Sequence, residues 1–321
     1  MDYLQSTFRT DGWTQHLATL TTPSSSSSSS TTSSPLRINY LSSTPYPPTT
    51  PPKATILLIH GFPQTSYQFR HVICDLSAAG YHVVAPDYRG AGQSSKPASG
   101  YEKTTMAEDL YVLVKHHLKI ERKVHVVGLG IGGMIAFAYV SRYPDHVASV
   151  VWGECELPGT TFYDNNTLKT SLDPEVNFHL LFHRVPDLPE YLIAGKEREY
   201  LKHFFDRLAY RTLAITPEDL EHYALAYKQP GALRAAMELF RALERDGVEN
   251  RKWLAQHGRV RVPALVVVGE KGTVGVEEAK GMAGEYHEGV ETVVVEDAGH
   301  YVAEENPALF TETVRRWIQR N

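Results

Sequence analysis

The segment from Lys123 to Tyr139 joins an apolar, β-branched run to a glycine-rich turn and then to a stretch of helical character, and it supports two chemistries. Read as Gly128-x-Gly130-x-x-Gly133, it matches a dinucleotide-binding fingerprint, in which glycines let the backbone approach a pyrophosphate at a helix N-terminus. Glu154 even follows the next apolar run, Val147 to Trp152. Read instead as small-x-nucleophile-x-small, the same residues form a sharp strand-to-helix elbow whose middle position normally carries Ser, Cys or Asp. Here that position is Gly130.

The surrounding elements decide between the two. A dinucleotide fold opens with its fingerprint strand, whereas two strand-and-turn units, Ile56 to His60 and His82 to Asp87, already precede this one. From Lys53 onward, apolar runs alternate with amphipathic segments and predict a mostly parallel sheet: Ile56 to His60, His82 to Ala85, Val124 to Gly128, Val147 to Trp152, Ala264 to Gly269 and Thr292 to Glu296. The alternation breaks between Leu157 and about Gln256, where Glu197 to Tyr210, Pro217 to Tyr227 and Ala232 to Leu243 read as consecutive helices. Residues 157–256 are therefore expected to form a helical cap inserted into a core made of 1–156 and 257–321. A cap there would roof a site at the carboxyl ends of the strands and exclude water. Ahead of the sheet, Thr14 to Leu20 and Leu36 to Leu41 predict an antiparallel edge pair. The Ser/Thr-rich tract 23–34 between them and the Pro/Thr-rich stretch 44–52 bury too little apolar surface to order, and read as loops.

The turns that end these runs carry a family likeness. His60-Gly61-Phe62-Pro63, the run Asp87 to Ser94 and Gly299-His300 closely resemble the α/β-hydrolase superfamily, specifically its epoxide hydrolase and haloacid or haloalkane dehalogenase branch, over most of residues 54–321. The resemblance implies an α/β-hydrolase fold with a helical cap. It also implies a catalytic base at His300, which follows the last apolar run, and backbone oxyanion donors at the amides of Phe62 and Ile131. A base histidine needs a carboxylate to orient it. Two positions compete for that role: Glu154 in Glu154-Cys155-Glu156, where dehalogenase and epoxide hydrolase members keep their acid, and in reserve Glu270 in Gly269-Glu270-Lys271-Gly272.

The sequence also departs from that family. Its elbow usually reads Gly-His-Asp-x-Gly-Gly, and here reads Gly128-Leu129-Gly130-Ile131-Gly132-Gly133, so the attacking aspartate and the histidine before it are absent. Glycine relieves the backbone strain of the elbow while deleting the nucleophile, and leaves room beside His300 for water or a substrate group. Related epoxide hydrolases hold the epoxide oxygen with two cap tyrosines. Setting Met237 to Arg241 against their Asn-Trp-Tyr-Arg run puts Phe240 at one of those places, and leaves Tyr200, Tyr223, Tyr227, His179 and His183 as cap contributors whose ordinary role is packing.

Composition narrows the partners. A chain of 321 residues with 42% hydrophobic content is long enough for one large core with an insertion. A net charge of −5 gives no basic footprint for nucleic acid, and no run approaches the roughly 20 apolar residues that a membrane helix needs. Cys74 and Cys155 are too few for a disulfide framework, which with the lack of an apolar N-terminal segment points to the cytoplasm. No histidine pair has the HExxH spacing of a metal site, so neither metal nor cofactor is expected; a homodimer is left open. The expectation is thus a cofactor-free enzyme in which His300 and Glu154 act as a general base, without a covalent intermediate, on a mostly apolar small molecule. Hydrolysis, elimination, carbon–carbon cleavage, isomerisation and cyclisation all fit. Two alternatives stand beside it: a pseudo-hydrolase that binds a ligand without turning it over, and an aspartate hydrolase in which Gly130 is a variant residue.

Overall fold

The computed structural model describes residues 12–20, 35–45, 51–167 and 174–321. The Ser/Thr-rich tract 23–34 and part of the Pro/Thr-rich stretch lie outside them.

The chain opens with an antiparallel hairpin, β1 (Thr14–Leu20) and β2 (Leu36–Ser43), and then alternates strand and helix: β3 (Thr55–Ile59), α1 (Ile73–Ala78), β4 (His82–Pro86), α2 (Lys103–Tyr111), β5 (Val124–Leu129), α3 (Ile131–Arg142) and β6 (Val147–Gly153). Among the described residues seven α-helices follow without a strand: α4 (Thr161–Thr167), α5 (Pro174–Phe182), α6 (Leu188–Ile193), α7 (Glu197–Leu208), α8 (Pro217–Tyr227), α9 (Ala232–Arg241) and α10 (Leu243–His257). The alternation resumes with β7 (Ala264–Gly269), α11 (Val276–Tyr286) and β8 (Val290–Val295), and closes on α12 (Val302–Glu305) and α13 (Pro307–Arg320). The strands form one eight-stranded sheet in the order β1-β2-β4-β3-β5-β6-β7-β8, parallel from β4 to β8, with β2 antiparallel to β4. This is the mostly parallel, helix-flanked sheet that the alternating runs predict. The last strand begins earlier than its apolar run, because Val290 and Glu291 pair with Ala264 and Leu265 of β7.

Both faces of the central strands are buried, which is why they read as continuous apolar runs rather than alternating ones. Leu57 and Ile59 of β3 pack with Ile135 and Phe137 of α3 on one face. Ile56 and Leu58 pack with Phe69, Ile73 and the C-terminal Val314, Trp317 and Ile318 on the other. The turn from β5 into α3 lies hard against β3: a Cβ on Gly132 would sit 2.1 Å from the carbonyl oxygen of Ile59, and one on Gly128 would sit 2.1 Å from that of Gly132. Those two glycines are accounted for by backbone packing alone, so the fingerprint spacing needs no dinucleotide to explain it.

The insertion is tied to the core through buried polar contacts. Arg70, in the turn after β3, pairs with Asp219 of α8 at 3.1 Å and with Glu304 of α12, which also receives the hydroxyl of Tyr223 at 2.9 Å. Burial pushes the Glu304 carboxyl up, and Arg70 pulls it part of the way back.

Two buried histidines and one half-buried one make this fold sensitive to acid. Burial pushes His125, His222 and His287 down to about 4 from the ordinary 6.5. Between those values the unfolded chain takes up protons that the folded chain refuses, so stability is level above about pH 6.5 and falls as pH drops toward 4. Thermal melts across this range are expected to give a melting temperature that declines below neutrality; a plateau persisting to about pH 5 would contradict the assignment.

Candidate active site

Three turns at the carboxyl edge of the sheet build the site. The first is the elbow: Gly130 has φ 57° and ψ −129°, a left-handed conformation that an L side chain adopts only under strain, and its N–H donates to Gly153 O at 3.0 Å. The chain then enters α3, so the N–H of Ile131 has no acceptor within its own helix. Among the described residues neither that N–H nor the N–H of Phe62 meets an acceptor. A Cβ placed on Gly130 would meet nothing closer than Gly61 Cα at 3.5 Å and would lie 4.0 Å from His300 Nε2.

The second turn follows β6. Glu154, with φ 53° and only 3% exposed, accepts the N–H of Gly269 at 2.7 Å and that of Thr273 at 3.2 Å. A Cβ on Gly272 would fall 2.2 Å from Glu154 Oε1, so the loop after β7 closes over this carboxylate only because it carries glycine there.

The third turn, after β8, brings His300 Nδ1 to 3.0 Å from Glu154 Oε2. A carboxylate only accepts, so this contact assigns the proton to Nδ1 and leaves Nε2 as the free basic nitrogen, facing Gly130. Glu270 does not share in this arrangement. Its carboxylate lies at the surface, where it accepts the N–H of Asp297 at 3.2 Å and pairs with Lys271 at 3.2 Å.

A cleft with an empty volume of about 760 Å³, part of it open to solvent, joins these groups to the insertion. Phe62, Gly130, Ile131, Glu154 and His300 line its floor, and His179, Phe204, Leu208 and Phe240 line its roof. The other sequence candidates stand back from it. His183 is fully buried behind the roof, its Nε2 hydrogen-bonded with the Tyr200 hydroxyl at 2.5 Å, and burial, His179 and Arg241 together hold it well below the usual histidine range. Tyr227 packs edge-on to the Phe62 ring, with centroids 6.0 Å apart. Tyr223 turns away to Glu304. Sequence reading passed over Thr273, Cys155 and Tyr163, which also line the cleft. Cys155 neighbours Glu154 in sequence, a position that could have drawn notice, but burial and the neighbouring carboxylates push its thiol far up, so it is a protonated packing group and no substitute nucleophile. Among the described residues no group of three or more His, Cys, Asp or Glu is placed to hold a metal ion, and no helix is long and apolar enough to cross a membrane.

Sheet order, elbow and converging turns together define a class. A sequence model of the alpha/beta hydrolase fold matches residues 54–307, and the chain belongs to that family. Its relatives include epoxide hydrolases: it is 31% identical over 266 residues to the soluble epoxide hydrolase of Corynebacterium sp. (strain C12), covering 82% of this chain and 89% of that protein. Among solved structures, it superposes on wild-type Cfl2 from Burkholderia cenocepacia with a TM-score of 0.81 at 28% identity, over 95% of this chain and 96% of that one. It superposes on the ligand-free epoxide hydrolase CorEH with a TM-score of 0.81 at 27% identity, over 96% and 99%. In sequence and fold the chain is thus an epoxide hydrolase-like α/β hydrolase.

The two acids should separate cleanly in stability. Glu154→Ala strands the N–H of the buried Gly269 and releases that of Thr273 in the exposed loop above it, and is expected to cost about 2 kcal/mol in chemical denaturation, whereas Glu270→Ala should stay within about 0.5 kcal/mol of the native protein. Equal losses would mean that the buried hydrogen bonds of Glu154 do not hold this loop.

Proposed function

We propose that this chain is an enzyme that works without a covalent nucleophile, with His300 oriented by Glu154 as general base beneath a helical cap formed by residues 157–256. The carrying observation is the placing of His300 Nε2, which has its partner nitrogen tied to Glu154 at 3.0 Å and itself faces the side-chain-free Gly130. A water molecule or an acidic substrate proton standing where an aspartate would project lies within reach of that nitrogen.

The chemistry then runs in one stage. His300 Nε2 takes the proton, and the imidazolium that forms is stabilised by the Glu154 carboxylate. The N–H groups of Phe62 and Ile131 receive the oxygen on which negative charge grows, at a helix start that favours it. The aromatic wall of Phe62, Phe204 and Phe240 supports a mostly apolar small molecule as substrate, and His179 is the polar group of the roof that would hold a substrate oxygen. Relatives named as epoxide hydrolases support an epoxide or another strained, weakly polar electrophile first, with direct hydrolysis as the reaction; elimination, carbon–carbon cleavage, isomerisation and cyclisation use the same base. No metal or cofactor enters the scheme.

The space around Gly130 favours one further reading, that of an aspartate hydrolase carrying a variant residue. A Cβ at 130 meets no atom closer than 3.5 Å, so the first atom of an aspartate side chain has room there, at the cost of the backbone strain of φ 57°.

One panel tests both readings: native protein, Gly130→Asp and His300→Ala, assayed against aryl epoxides, haloacids and activated esters with products and protein followed by mass. Turnover by the native protein is expected with no protein adduct, and His300→Ala should lose about 10² to 10⁴ of it. Gly130→Asp is expected to add a covalent route, seen as an alkyl-enzyme mass that builds up early in turnover. Native turnover that survives His300→Ala would overturn the base assignment. Ligand binding without turnover by any native sample would favour a pseudo-hydrolase.

A further inference from the structure

His300 is held in place by more than Glu154, and the additional restraint comes from one residue that no step of the proposed chemistry uses. Glu305, 1% exposed, is the last residue of α12. Its Oε2 accepts the N–H of Gly299 at 2.9 Å and its Oε1 accepts that of Tyr301 at 2.8 Å, so it grips the peptide groups on either side of His300. The same Oε2 accepts the N–H groups of Tyr210 and Arg211, both at 2.8 Å, in the segment that leaves α7. Arg211 also returns a guanidinium N–H to the Glu305 carbonyl at 3.0 Å.

The His300 N–H itself donates to the carbonyl of Leu208, the last residue of α7, at 3.0 Å. Every peptide N–H from 299 to 301 is therefore fastened either to Glu305 or to the helix that roofs the cleft. The approach is tight enough that a Cβ on Gly299 would lie 2.6 Å from Tyr210 N. Leu208 lines the cleft as well, so a shift of α7 over a ligand moves the acceptor of the His300 peptide.

We infer that Glu305 is a positioning residue, which fixes the His300 ring and couples it to the end of α7, so that the base is correctly aimed only while the insertion is seated. The inference rests on His300 being the base. Its neighbour Glu304 supplies an internal contrast. It is also buried, but its carboxylate binds Arg70, Gln64 and Tyr223 and accepts no N–H from the peptides around His300. Both carboxylates fasten the insertion to the core; only Glu305 does so through the histidine loop.

The amide of Glu305→Gln keeps one acceptor oxygen and turns an NH₂ toward the remaining N–H donors. Since Oε2 serves three donors and Oε1 one, the oxygen should stay with the three, and the Tyr301 N–H beside His300 should be repelled. The readout is the downfield proton resonance of His300 Nδ1, identified by its absence in His300→Ala, measured in the full-length protein without any substrate. Glu305→Gln is expected to shift this resonance or broaden it beyond detection, while Glu304→Gln leaves it in place. Arg211→Pro provides a second route if Glu305→Gln does not fold. It deletes one insertion-side N–H at a residue whose φ of −94° must turn by roughly 15° to enter the proline range of about −65 ± 15°, and should shift the resonance the same way, with Arg211→Ala as control for the lost guanidinium. An unmoved resonance in whichever of Glu305→Gln and Arg211→Pro folds, or an equal shift in Glu304→Gln, would overturn the inference. Because the proton reports the His300–Glu154 hydrogen bond in the absence of substrate, this outcome is independent of whether His300→Ala abolishes turnover.

Discussion

A single hydrogen bond sets the terms for this site. With Nδ1 of His300 committed to Glu154 at 3.0 Å, the tautomer is fixed, the second nitrogen becomes a base, and its direction is set by where the two turns meet. That meeting demands much of the surrounding chain. Glu154 takes a left-handed backbone, the loop after β7 supplies two N–H groups to the carboxylate, and Gly272 makes room for it. Strain of this kind, about 1–3 kcal/mol for a non-glycine residue, persists where the surroundings over-determine it. Here four hydrogen bonds on one buried carboxylate do so, from His300, from Gly269 and from both the N–H and the hydroxyl of Thr273.

A second tier of buried carboxylates extends the same logic outward. Glu304 and Glu305 are adjacent in sequence and both sit at the seam between the sheet and the insertion, where Phe205, Leu220, Tyr223 and Tyr301 form a small apolar cluster of their own. An apolar seam would hold the insertion but leave its register loosely defined. Directional bonds from Arg70, Asp219 and the peptides of 210–211 select one register, at the cost of desolvating charged groups.

What could be read from the sequence follows from how local each signal is. The strand-turn-helix segment around Gly130 announces itself because an apolar run, close-packed glycines and a helix start fall within a few residues, and His300 and Glu154 stand at the ends of recognisable strands. The parallel sheet followed from the same runs. The insertion was harder. Helices α4 and α6, of seven and six residues, are too short to establish a 3.6-residue period, and neither they nor α5 were anticipated. Which aromatic faces the cleft depends on helix rotation and tertiary packing. Thus Phe240 and His179 reach it, Tyr200 is drawn to His183, and Tyr223 is drawn to a carboxylate 81 positions away. The choice between Glu154 and Glu270 as partner of His300 also turned on three dimensions, since both follow a strand, but only one of the two loops folds inward.

The elbow has a genetic as well as a chemical side. Its geometry is enforced by Gly128 and Gly132, which bring backbone against backbone, and not by whatever occupies position 130, where a Cβ would find its nearest neighbour at 3.5 Å. Every glycine codon is a single base change from an aspartate or glutamate codon. The Cβ of a carboxylate residue at 130 would therefore find room, at a backbone cost of about 1–3 kcal/mol for the strained conformation. Position 130 can thus gain or lose a Cβ without disturbing the close backbone packing that makes the turn, so the shape of the elbow and the residue at its tip answer to separate constraints.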